Sequence, residues 1–118
     1  MKNTQMLKKN YEFRNILSRG KYFSGKNIEV FLRKNNYKNG NLLGIAISVK
    51  IAKAVRRNYI KRLIRETYNH IENELETGYS FVFLWKKKVD TENATYNNIK
   101  EDMKHIFSKA NIYIESRD

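Results

Sequence analysis

The sequence predicts a single α+β sandwich, and three observations carry that prediction. Helical and extended patterns follow one another in the order helix, three strands, helix, strand, helix. The 118 residues suffice for one hydrophobic core but not for two. No repeat, low-complexity tract or Pro/Gly-rich linker divides the chain, so residues 1–118 are expected to form one domain, with 1–9 as a basic tail and 115–118 as a flexible end.

The first helix is expected from about Tyr11 to Arg19, capped by Asn10 and stopped by Gly20, with Phe13, Ile16 and Leu17 on one face. An extended segment, Lys21 to Ser24, precedes a clearer strand from Asn27 to Arg33. The loop NNYKNGN leads into a strand from Leu42 to Val49, and these pieces read as an antiparallel meander. A long helix follows, about Ala52 to Glu76, with Gly78 ending it. The fourth strand, Tyr79 to Trp85, is apolar on both faces, as a covered central strand requires. The last helix, about Glu92 to Ala110, gathers Tyr96, Ile99, Met103, Ile106, Phe107 and Ala110 into a core-facing stripe.

Charge sets this chain apart from an ordinary small domain. A formal net charge of +12 exceeds what solubility needs and points to nucleic acid or an anionic membrane surface. Between Lys50 and Arg65 stand seven basic residues and no acidic one, including four of the eight arginines. A coding bias toward lysine scatters charge; it does not cluster arginine, whose planar fork suits phosphate oxygens and base edges. At the helical period, Arg57, Asn58, Lys61, Arg65 and Tyr68 share a sector that Arg62 flanks, opposite Ile60, Leu63, Ile64, Thr67 and Ile71. Cations three and four residues apart weaken a helix by about 0.2–0.5 kcal/mol per pair. A bound polyanion removes that cost; a merely solvated basic face carries it.

Two strands add a signal independent of charge. Ile28, Val30 and Leu32 point one way, and Phe31 points the other, beside Glu29 and Arg33. In the next strand Leu43, Ile45, Ile47 and Val49 alternate with Gly44, Ala46 and Ser48, which leaves one face nearly bare. An aromatic beside a bare strip outlines a groove for an extended single strand, where base stacking contributes about 1–3 kcal/mol whatever the sequence. Phe31 packed beneath a terminal helix fits the pattern equally well, and Phe13 leans toward the core.

Several classes are disfavoured. Cysteine is absent, which removes disulfides and thiolate metal sites. No signal-peptide run and no stretch of 18 apolar residues occurs, so a cytoplasmic protein is expected. His70 and His105 read as surface residues, and Asp90, Glu92, Glu101 and Asp102 as helix-start and surface residues. No carboxylate pair, nucleophile set or metal-spaced cluster supplies a catalytic constellation. A DNA recognition helix lacks the preceding partner helix, and the apolar residues of the basic helix are consumed by the core rather than left for a membrane. A general single-stranded RNA-binding or ribosome-associated protein stays open as an alternative.

The basic segment, with Lys50, Ala54, Val55, Arg57, Asn58, Lys61, Arg62 and Arg65, resembles the signature of the protein subunit of bacterial ribonuclease P, roughly K-x-x-x-A-V-x-R-N-x-x-K-R-x-x-R. LKKNYEF near the start is similar to that family's L-x-K-x-x-x-F opening, and the spacing agrees over nearly the whole chain. The resemblance implies a four-stranded central sheet with a left-handed β-α-β crossover, as in the second domain of ribosomal protein S5, which ordinary handedness rules do not predict. It implies a non-catalytic subunit of an endoribonuclease, partnered by the ribonuclease P RNA subunit and precursor tRNA, with neither membrane nor DNA involved. Magnesium would be bound mainly by the RNA subunit, which cuts, and none by the protein alone. RNA contacts would fall on Lys50, Lys53, Arg56, Arg57, Asn58, Lys61, Arg62 and Arg65, and a 5′-leader groove on Phe13, Leu17, Phe31, Ser48 and Tyr59. Tyr59 stands where the family usually has arginine, Leu17 where it often has a second groove aromatic, and Ala52 in place of a typical glycine.

Overall fold

The computed structural model describes residues 1–36 and 40–114; the middle of the expected loop and the expected flexible end at 115–118 lie outside them. The chain runs β1 (Thr4–Met6), α1 (Asn10–Arg19), β2 (Lys21–Ser24), β3 (Ile28–Lys34), β4 (Asn41–Ala46), α2 (Ala54–Ile71), β5 (Tyr79–Trp85) and α3 (Tyr96–Ala110). The strands form one sheet in the order β1-β4-β5-β3-β2.

That order corrects the expected meander. β5 lies between β3 and β4, antiparallel to the first and parallel to the second, so β4, α2 and β5 form a crossover between adjacent parallel strands. The reason is burial. Phe81, Val82 and Phe83 are fully buried, and only the centre of a sheet covered on both faces accommodates such a run. A fifth strand also appears inside the stretch expected to be a tail: β1 pairs in parallel with β4, and the Thr4 hydroxyl lies 2.7 Å from the Tyr68 hydroxyl. Tyr68 is therefore fully buried, not part of the exposed sector of α2.

Element ends shift for local reasons. Lys9, not Asn10, occupies the N-cap of α1, without a side-chain capping bond. β4 stops at Ala46 because the backbone then turns, with the Ser48 carbonyl accepting from the Ile51 amide at 3.1 Å. α2 begins at Ala54 and gives way at Glu72 to a 3-10 turn, while Gly78, with φ +94°, serves the turn into β5 rather than the helix end. A second short 3-10 turn, Thr91–Asn93, precedes α3, whose start is capped by the Thr95 hydroxyl accepting from the Asn98 amide at 3.2 Å.

The main core lies on one face of the sheet. Ile28, Val30, Leu43, Phe81 and Phe83 meet Ile60, Ile64 and Ile71 of α2 and Ile99, Met103 and Phe107 of α3. α1 covers part of the other face through a smaller cluster of Leu7, Ile16 and Val82. Asp102 departs from its surface reading: it is buried, and its carboxylate accepts from the Lys26, Asn27 and Ile28 amides at 3.0, 2.8 and 3.1 Å, fixing the turn into β3. Gly25 is required there, since a Cβ would stand 2.5 Å from the Asp102 carboxyl carbon.

Candidate nucleic-acid interface

With Ile60, Ile64, Thr67 and Ile71 turned into the core, α2 presents its cations outward. Lys50, Lys53, Asn58, Arg62 and Arg65 are exposed; Arg56, Arg57 and Lys61 are half-buried. Two guanidinium groups are held in place by the backbone: Arg56 donates to the Thr91 carbonyl at 2.6 Å and Arg57 to the Ala52 carbonyl at 2.7 Å. Each bond uses one of several donors and leaves the rest of the fork for a partner. The first turn of α2 carries no acidic residue and Lys53 makes no capping bond, so its free amides add positive potential at the same end.

Tyr59 lies within this cationic surface. It is 37% exposed, with the Arg56 and Arg62 guanidinium carbons 5.1 and 5.8 Å from its ring centroid. Stacking on an aromatic spreads like charges along the ring faces and offsets part of their repulsion. Tyr59 thus sits on α2 among arginines, apart from the aromatics on the α1 face of the sheet.

That face brings three of the expected groove residues together. Phe13, Leu17 and Phe31 pack half-buried around the Ile16 and Val82 cluster, with Leu42 and Leu84. The bare strip of β4 has a purpose: a Cβ on Gly44 would come within 2.6 Å of Phe13 Cε1, so glycine there lets the ring lie against the strand. Phe13 packs from α1 onto the sheet and Phe31 packs beneath α1, and both rings are half-buried. Ser48 lies past the end of β4, on the way to α2, and its hydroxyl accepts from the Lys50 amide at 3.2 Å.

Sequence pattern alone does not single out Tyr22. It is 51% exposed and pairs in register with Phe31, the ring centroids 5.3 Å apart at 57°. Its hydroxyl donates to Glu29 at 2.5 Å, and that bond, with partial burial, raises the phenol above its ordinary pKa. Parity is the signal that could find it: β2 and β3 are antiparallel neighbours, so residues facing Phe31 can be counted once the register is known. Arg33, on the same face, donates to Asn15 of α1.

Among the described residues, no group of three or more His, Cys, Asp or Glu side chains could hold a metal ion, and no helix is long and apolar enough to cross a membrane. Both histidines are exposed, and His70 Nδ1 lies 2.9 Å from the Tyr96 hydroxyl.

A small mixed-sheet domain that displays an arginine-rich helix and a half-open aromatic face defines a basic RNA-binding protein. The chain belongs to the ribonuclease P protein family, matching it over residues 1–111. The ribonuclease P protein component of Clostridium botulinum strain 657 is 36% identical over 108 residues, covering 91% of this chain and 95% of that one. The corresponding component of Clostridium kluyveri is 38% identical over 109 residues, with the same coverages. In structure the chain is similar to the Staphylococcus aureus RNase P protein (TM-score 0.78, 25% identity, 92% and 97% of the two chains). It is similar also to that of Thermotoga maritima (TM-score 0.78, 26% identity, 95% and 99%). Family membership associates the chain with tRNA processing by an endoribonuclease.

Proposed function

We propose that this chain is the protein subunit of ribonuclease P: it binds the catalytic RNA subunit and the 5′ leader of precursor tRNA, and so assists removal of the leader. The observation that carries this reading is one helix with two jobs, its apolar half buried and two of its four outward arginines, Arg56 and Arg57, anchored by backbone bonds. The chain's cations lower the repulsion between two RNAs brought together. Phe13, Leu17 and Phe31 add contacts that precursor can make and product, lacking the leader, cannot. Differential affinity for precursor follows.

Magnesium belongs to the RNA subunit in this reading. The protein's part in this reading is binding and orientation. The work takes place in the cytoplasm, on RNA partners alone. The test mixes purified protein with a bacterial ribonuclease P RNA and precursor tRNA at low magnesium. Rescued cleavage at the mature 5′ end is expected. Binding of RNA without rescue would instead mark a general single-stranded RNA-binding protein.

A further inference from the structure

A second cationic surface lies far from the start of α2. At the end of the sheet where β2 begins and β3 ends, a cleft of about 740 Å³ opens between the last turns of α1 and α3. Among the described residues lining it, Arg19, Lys21, Arg33, Lys34 and Lys109 are basic and none is acidic. The register places it: Lys21 pairs with Leu32 and Lys34 with Tyr79, whereas Ala46, which leads toward α2, pairs with Leu84 at the opposite end of β5. The six steps from Tyr79 to Trp85 along β5 separate the two ends by about 20 Å at ~3.3 Å per residue. Tyr22 belongs to both regions, lining the cleft and packing with tilted rings against Phe31 of the groove.

Clustered cations with no carboxylate among the described lining residues repel one another, and a polyanion relieves that. An exposed aromatic among cations is the arrangement that holds single-stranded nucleic acid, the ring taking a base and the cations the flanking phosphates. Glu29 accepts the Tyr22 hydroxyl proton and turns that tip away from phosphate, so the ring face is what Tyr22 offers. We propose that Tyr22 and the Arg19, Lys21, Arg33, Lys34, Lys109 cleft extend the single-strand track beyond Phe31 and bind further leader nucleotides of the RNA. This rests on the leader-binding reading above and deepens it. It also assigns to Tyr22 the second stacking position that Leu17 cannot fill.

The test uses holoenzyme reconstituted from the full chain and a bacterial ribonuclease P RNA, titrated with precursor tRNAs bearing leaders of about 4 and about 12 nucleotides. The unaltered chain is expected to bind the longer-leader precursor at least about fivefold more tightly. The variant Lys21→Ala/Lys34→Ala/Lys109→Ala, all exposed positions, should lower the salt slope for the long leader by about 0.7 for every phosphate left without its cation, and leave the short-leader Kd unchanged. Tyr22→Ala should cost about fivefold more on the long leader than on the short one. The proposal is overturned if leader length has no effect on the unaltered chain, or if the long-leader advantage survives in both variants. It is also overturned if polyglutamate displaces the long leader as well as polyuridine does, since the cleft would then be a seat for an acidic protein. The reading beneath it fails separately, if Phe31→Ala leaves binding of the short-leader precursor unchanged.

Discussion

Tyr68 illustrates how one side chain can sit on the wrong side of a helical wheel and be right. Projection places it with Arg57, Lys61 and Arg65, yet it is fully buried because Thr4 and Asn41 supply polar partners for its hydroxyl and Phe81 and Phe107 flank its ring. Burial, the largest influence, raises its pKa above the ordinary 10.0. Folding therefore favours the protonated phenol. Its contribution is complete below about pH 10 and is lost as pH rises from there through the folded-state pKa. Tyr68→Phe should cost about 0.5–1.5 kcal/mol at neutral pH, for the missing hydrogen bond, and should make the alkaline decline in stability shallower. Urea denaturation at neutral and alkaline pH measures both. Asp102 escapes sequence reasoning for a related reason: its three backbone partners lie more than seventy positions earlier in the chain, so a helical pattern alone does not reveal them.

At the scale of elements, much was legible. β2 and β5 fall where residue alternation and apolar content place them, and the stripe on α3 is buried from Ile99 to Phe107. Both signals are local. The Arg57, Asn58 and Lys61 surface was equally readable, because helical spacing fixes which residues lie opposite Ile60 and Ile64. Ends were less so, since they depend on turns such as the one Ser48 accepts into. If α2 grips phosphate, replacing Arg57 and Lys61 together by alanine should flatten the dependence of RNA affinity on salt. Every phosphate that goes unneutralised lowers the slope of log K against log salt by about 0.7–0.9. Filter binding over a salt series reads this directly, and an unchanged slope would remove both residues from the interface.

For the whole molecule, pairing order was the illegible part. Consecutive strands usually neighbour one another, but here β5 displaces β4 from β3, and β1 joins β4 across more than thirty residues. The N-terminal strand was hidden because residues 1–9 hold six polar or basic side chains among few apolar ones. Its contribution is nonetheless structural: the Lys2 amide donates to the buried Glu72 carboxylate at 2.8 Å, and the Asn3 carbonyl accepts from the Asn41 amide at 2.7 Å. Deleting residues 2–6 is expected to lower the thermal midpoint by about 4 °C or more for each kcal/mol of stability removed. Calorimetry on the shortened and full chains checks it.

The position of β5 also governs how the chain can be born. Synthesis makes β3, β4 and the whole of α2 before Tyr79, yet β3 and β4 have nothing to join them until β5 arrives between them. Through that interval the nascent segment carries two strands with open edges and the arginine-rich helix without its floor, next to ribosomal RNA. Completion of the sheet is therefore a late, nearly all-at-once event. A released chain ending at residue 78 should be protease-sensitive, and one that also carries β5 and α3 should be resistant.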